Sequence, residues 1–221
     1  LVPYAEGRFA QVPTLLMSSR NQGNYVVGTS LYEWMRKMSE TEDESFKDKL
    51  VDRIIGDLGL YPKAREAAAI WEEYLPGLLG SPYEDKLAGI AELLGDALYN
   101  TGMLHVARHL NDKVPTWLLR FDFEDGPHYF DFPTEPEHAP PLPHGAGHLD
   151  PLNYFLPPKV EPFATEEQKR VSEIMLDIID NFVNGRAPAA GEWGTTTDAG
   201  LECAVISTQG TLEQDTFLPE G

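Results

Sequence analysis

Apolar positions change period several times along the chain. Val12-Pro13-Thr14-Leu15-Leu16-Met17 is a short apolar run that stops at Ser18-Ser19-Arg20-Asn21-Gln22-Gly23, the pattern of a buried strand feeding a polar loop. From about residue 31 to residue 110 the spacing becomes helical. Phe46, Leu50 and Ile54, with Val51 and Ile55, recur every four residues behind the acidic stretch 40–44. A second helix is expected after Pro62, a favoured first-turn residue, with Ala67, Ile70, Trp71 and Tyr74 on one side. Further helices are predicted over 84–99 and 103–110. Strand character returns over 114–123 with Trp117, Leu118, Leu119, Phe121 and Phe123, followed by a loop over 124–147 that contains six prolines. Thr165 and Gln168 stand at capping-box spacing before a helix whose apolar face is Val171, Ile174, Met175, Ile178, Ile179 and Phe182. Gly185 and Pro188 end it, a last strand is expected over 203–206, and a polar tail follows. Strands alternating with helices argue for the α/β class, in which functional loops collect at the carboxyl ends of strands.

Composition narrows the possible partners. With 221 residues, 42% hydrophobic and 10% aromatic, the chain is globular and not disordered. Asp and Glu number 36 against 17 Lys and Arg, and the resulting charge of −19 repels nucleic acid and anionic membrane surfaces. Cys203 is the single cysteine, so no disulfide forms within the chain, and no segment reaches the roughly 18 apolar residues of a membrane span. The start, Leu1-Val2-Pro3-Tyr4, has neither a basic nor a long apolar character and reads as the interior of a longer protein. Secreted and cytoplasmic locations both remain open.

Candidate chemistry concentrates at the end of the proline-rich loop, in His144-Gly145-Ala146-Gly147-His148-Leu149-Asp150. A connection longer than about 12 to 15 residues in a compact domain is often functional, and glycines beside His148 permit turns that hold a side chain over a cleft. His148 is therefore the candidate general base. His105 and His109 have the i,i+4 spacing of a helical metal pair, and His128, His138 and His144 precede His148, but no cysteine pair or His-Glu-x-x-His pattern supports a metal site. No metal and no cofactor is expected.

Taken in order, six segments resemble the carboxyl-terminal half of a type-B carboxylesterase of the cholinesterase and lipase group. They are 9–16 before an acid loop at 18–23, then Asp96-Ala97-Leu98-Tyr99 with Ala107-Arg108. Trp117 to Asp122 leads to the histidine loop at 145–148, and Asn181-Phe182 with Gly185, Pro188 and Trp193 closes the series. The resemblance implies that residues 1–221 are the carboxyl-terminal portion of one α/β-hydrolase domain with a helical insertion, its central sheet completed by a missing or separate segment. It also implies a serine hydrolase of carboxylic esters with apolar groups, in which His148 takes the proton of a nucleophilic serine. No G-x-S-x-G elbow occurs in the chain, so the amino-terminal segment of the same protein is the implied partner that carries the serine. Tyr25 and Val26 fall where the family lines its substrate gorge.

Two positions depart from the family pattern. Gln22 stands where the family has its catalytic glutamate, and Pro151 replaces a glutamate shortly after the histidine. An amide in the acid position lowers turnover by about 10⁴ in the serine-protease template, where it presents the wrong partner to the histidine. Glu6 or Asp150 offers another carboxylate, although Asp150 is expected to point elsewhere. The alternative reading is a family member with a degenerate triad that acts in binding, protein interaction or a biosynthetic step. His148 is expected to approach Gln22 at the carboxyl edge of the sheet while His144 and His138 lie toward solvent. Exposed strand edges predict that the chain does not fold alone.

Overall fold

The computed structural model describes residues 6, 9–39, 53–54, 56, 59, 64–111, 113–135, 138–156, 163–189, 193–196 and 201–217. Among the described residues four strands form one sheet: β1 (Thr14–Ser19), β2 (Thr116–Phe121), β3 (Glu202–Ile206) and β4 (Leu212–Thr216), in that spatial order. β1, β2 and β3 are parallel, with Ser19 opposite Phe121 and Leu119 opposite Ala204, whereas β4 runs antiparallel to β3 with Ile206 opposite Leu212. β2 reads as a nearly unbroken apolar run because helices cover both faces of the sheet, and Leu118, Leu119 and Phe121 are all buried.

The helices whose bounds fall within the described residues include α1 (Gln22–Val26), which continues through a π turn (Val27–Leu31) into α2 (Tyr32–Ser39), then α3 (Ala64–Tyr74), α4 (Tyr83–Gly95), α5 (Thr101–Leu110) and α6 (Glu166–Val183). α6 packs Val171, Met175 and Ile178 against Leu119, Phe121, Ala204 and Ile206 on one face of the sheet. α5 packs Leu104 and Ala107 against Leu118, Cys203 and Val205 on the other. Each Val, Leu, Ile, Met or Phe among them contributes about 1.5–3 kcal/mol by leaving water. A third cluster, with Val27, Met35, Leu75, Leu87, Ile90 and Leu94 and with Leu142 of the proline-rich loop packed against it, forms the core of the helical insertion.

Several expectations from the sequence meet the structure directly. The Thr165 hydroxyl accepts the Gln168 N–H at 3.2 Å, and the Gln168 side chain reaches back to the Ala164 N–H at 2.8 Å, one residue before the expected partner. The segments 84–99 and 103–110 are one helical run: α4 passes through a second π turn, Asp96–Asn100, into α5. Ile54 is buried in the helical cluster, with Ile70, Trp71 and Tyr74 partly buried against it. Phe46, Leu50, Val51, Ile55, the acidic stretch 40–44, Pro62 and the side chain of Ala67 lie outside the described residues. The polar tail is a correction, since it contains β4. Leu212 to Asp215 are exposed, so no alternation announces the strand, which is held instead by its ladder to β3 and by Arg120. The Arg120 guanidinium donates to Asp122 at 2.9 and 3.0 Å and to Asp215 at 2.8 Å, tying β4 across β3 to the end of β2. Among the described residues no helix is long and apolar enough to cross a membrane.

Candidate active site

β1 ends at Ser19, and after a two-residue turn Gln22 opens α1, so the end of a buried strand fixes where the Gln22 amide starts. Two features hold that start in place. Gly23 has no side chain, and a Cβ there would meet the Ala91 carbonyl oxygen of α4 at 1.7 Å, so α1 and α4 touch backbone to backbone. The Asn21 side-chain oxygen accepts the Ala146 N–H at 3.1 Å while the Asn21 N–H donates to the Ala146 carbonyl at 2.9 Å. Asn24 adds a hydrogen bond from its amide nitrogen to the Pro143 carbonyl at 2.9 Å. The two loops are thereby stitched together at the carboxyl edge of β1 and β2.

The histidine loop takes its shape from Gly145 (φ 61°) and Leu149 (φ 68°), both in the left-handed region, with Leu149 the residue that brings the chain into the short 3₁₀ turn Asp150–Tyr154. Asp150 is buried and already committed. It accepts the Gly147 N–H at 2.8 Å and the Tyr129 N–H at 2.7 Å, and stands 3.0 Å from His128 Nδ1. It pins the loop, and among the described residues its hydrogen bonds go to these partners and not to His148. Glu6 is exposed.

His148 Nδ1 lies 3.0 Å from Gln22 Oε1. A carbonyl oxygen only accepts, so Nδ1 carries the hydrogen and Nε2 holds the lone pair. Among the described residues Nε2 has no hydrogen-bond partner. The ring is stacked on Tyr99 at 4.2 Å between centroids, with Tyr25 at 5.8 Å on the same imidazole. Burial holds the imidazole below its usual pKa of 6.5, and the negative charge of Asp150 only partly opposes that. His148 is therefore neutral at physiological pH, the protonation state in which Nε2 accepts a proton.

Behind Gln22 runs a chain of polar groups that the sequence reading did not contain. Gln22 Nε2 donates to Ser18 Oγ at 2.8 Å and to Asn100 Oδ1 at 2.9 Å, and Ser18 Oγ donates to the same Asn100 oxygen at 2.8 Å. Asn100 Nδ2 donates to Asp96 Oδ1 at 2.8 Å, and the Tyr74 hydroxyl donates to Asp96 Oδ2 at 2.8 Å. Burial, with the adjacent Asp96 carboxylate, pushes the Tyr74 phenol well above its usual pKa and keeps it a donor. Asp96, Tyr99 and Asn100 all come from the π turn, a helical irregularity common at functional sites. Their i, i+3, i+4 spacing was the available signal. A cleft of about 820 Å³ borders Ser18, Gln22, Asp96 and Asn100.

The remaining candidates divide. Tyr25 stands beside the imidazole and stacks on Phe130 at 4.2 Å, whereas Val26, a helical step further round, packs against the helical core. His138 is partly exposed, its Nδ1 3.2 Å from Glu33. His144 corrects the expectation of a solvent-facing ring. It is half-buried between His128 at 3.9 Å and Phe132 at 3.7 Å, and its Nε2 accepts the Phe132 N–H at 3.1 Å. The aromatic loop folds back on itself to bury those faces. His109 Nδ1 donates to the His105 carbonyl at 2.7 Å, a bond within the helix, and among the described residues no group of three or more His, Cys, Asp or Glu is arranged to hold a metal ion.

The sheet, the histidine loop and the helical insertion have counterparts among known proteins. The family model described as "Carboxylesterase family" matches residues 3–218. The chain belongs to the carboxylesterase family. No curated protein sequence matches it. Among solved structures, it is similar to juvenile hormone esterase from Manduca sexta with OTFP covalently attached, at 17% identity over 97% of this chain and 40% of that one, TM-score 0.63. It is also similar to a PNB esterase, at 20% identity over 98% of this chain and 38% of that one, TM-score 0.54. A thermophilic PNB esterase aligns at 19% identity over 98% and 38% respectively, TM-score 0.59. These likenesses give the fold: a mixed α/β arrangement that is part of an α/β-hydrolase. The chain spans about two-fifths of the length of those carboxylesterase structures.

Proposed function

We propose that residues 1–221 are the carboxyl-terminal portion of one α/β-hydrolase domain that cleaves small apolar carboxylic esters, and that this portion supplies the general base. In this reading His148 Nε2 takes the proton of a serine as its oxygen attacks the acyl carbon, and returns that proton to the leaving alkoxide. The same nitrogen then activates the water that releases the acid. The serine and the groups that stabilise the oxyanion belong to the amino-terminal segment. Gln22 orients the imidazole in place of a carboxylate, and Tyr25 lines the substrate side. The observation that carries the reading is the 3.0 Å contact of His148 Nδ1 with Gln22 Oε1 at the carboxyl edge of the sheet. Family membership and a neutral imidazole with an open Nε2 support it.

The test is labelling of the full-length protein with a fluorophosphonate, alongside turnover of a short-chain aryl ester. A serine in the amino-terminal segment should be acylated and phosphonylated. The second reading, a family member with a degenerate triad used for binding, is favoured by one observation: no carboxylate touches His148 among the described residues. Folded protein that binds an ester analogue but neither turns over nor labels would establish that reading instead.

A further inference from the structure

Among the described residues no carboxylate contacts the imidazole, yet one lies two side chains away on a continuous hydrogen-bonded path. Asp96 Oδ1 accepts from Asn100, so Asn100 turns its nitrogen toward Asp96 and its oxygen toward Gln22. That oxygen receives hydrogens from Gln22 Nε2 at 2.9 Å and from Ser18 Oγ at 2.8 Å, the nearer of two acceptors for the Ser18 hydroxyl, the other being the Ser19 carbonyl at 3.4 Å. The amide nitrogen of Gln22 therefore faces inward and Oε1 is left facing His148. Inverting Gln22 sets its oxygen against that of Asn100, and inverting Asn100 as well sets its oxygen against Asp96. Neither inversion is accommodated while residue 96 is a carboxylate.

We infer that Asp96 is the positioning acid of this site: through Asn100 and Gln22 it holds His148 as the Nδ1–H tautomer with the lone pair on Nε2. The inference rests on His148 being the base of the proposed reaction. It divides what one carboxylate does in the triad template, where the acid both fixes the tautomer and stabilises the imidazolium charge. Here direction is relayed from Asp96 and the charge is not delivered to the ring. An amide in the acid position ordinarily loses activity by selecting the wrong tautomer. This amide is denied that choice by its own partners. The π turn serves the arrangement by bringing Asp96 and Asn100 to Gln22 and Tyr99 to the imidazole.

The experiment is long-range ¹H–¹⁵N spectroscopy of the full-length protein labelled with ¹⁵N-histidine, at a pH where His148 is neutral. Wild type should show His148 as a single Nδ1–H tautomer. In Asp96→Asn, residue 96 can present either an oxygen or a nitrogen to Asn100, so an Nε2–H population should appear. The double variant Asp96→Asn/Asn100→Asp moves the carboxylate one position closer and should restore the single Nδ1–H form. A purely structural role for Asp96 predicts no such rescue. Wild type containing both tautomers, or Asp96→Asn retaining Nδ1–H alone, would overturn the relay. A wild-type spectrum with both tautomers overturns the relay even if the variants do not fold. Nδ1–H alone in wild type, with the second form in Asp96→Asn, supports the relay even when ester turnover is absent, an outcome that would remove only the proposed reaction.

Discussion

Gly23 of α1 and Ala91 of α4 are in backbone contact, and a Cβ at position 23 would lie 1.7 Å from the Ala91 carbonyl oxygen. This contact sets the separation of α1, which carries Gln22, from α4, whose end runs into the π turn that carries Asn100. Gly23→Ala should therefore act twice. It should destabilise the fold by about 1–3 kcal/mol through overpacking, read as a lower urea midpoint. It should also separate Gln22 from Asn100, read as loss of the single His148 tautomer. A midpoint equal to wild type would show that the helices part without cost.

The pH dependence follows from burial of the imidazole. His148 and His144 both titrate below the ordinary histidine value of 6.5, each chiefly because burial disfavours the cation. Their folded-state pKa values are depressed, so the unfolded chain binds more protons in that window. The stability they contribute is complete above 6.5 and is lost as pH falls from there toward the folded-state values. Ester turnover by the full-length protein should show its acid inflection below 6.5. An inflection at or above 6.5 would mean that another group limits the reaction or that the ring is not desolvated.

Tyr99 is the main cover over the ring, stacked at 4.2 Å. Tyr99→Ala should remove about 0.5–1.5 kcal/mol of ring contact and hydrate the imidazole, moving the His148 titration upward toward 6.5. Histidine NMR titration measures this. An unchanged midpoint would place the desolvation elsewhere.

Restoring the family's carboxylate is not a single-residue change. Gln22→Glu sets a carboxylate oxygen against Asn100 Oδ1, which Asp96 holds in place. The single variant should gain little. Gln22→Glu with Asp96→Asn lets Asn100 turn its nitrogen toward residue 22, so the pair should gain more than the sum of the single changes. The gain should stay below the roughly 10⁴ of the protease template, because the tautomer is already correct in wild type. Equal rates for the single and double variants would show that Asn100 turns without regard to Asp96.

The main architecture was legible because its signals are local. The apolar run before Ser18, the run over 114–123 and the capped helix at Thr165 each declare themselves within a few residues. His148 and Gln22 were legible by resemblance and are 126 residues apart. The groups behind Gln22 were not. Asn100 meets it across 78 residues through a helix contact made by a glycine, and a stretch reading Asp-Ala-Leu-Tyr-Asn gives no sign that its helix widens there. β4 escaped because its exposed polar residues form a strand only by pairing with β3. His144 was misjudged because loop aromatics bury one another without any period.

The central claim is that His148 is the base of an ester-cleaving site, and the most direct measurement is short-chain aryl ester turnover by the full-length protein, wild type beside His148→Ala. Wild type should turn over, and His148→Ala should lose turnover entirely while keeping its folded circular-dichroism spectrum. Turnover that survives in folded His148→Ala would contradict the account, because the chemistry would then lie elsewhere.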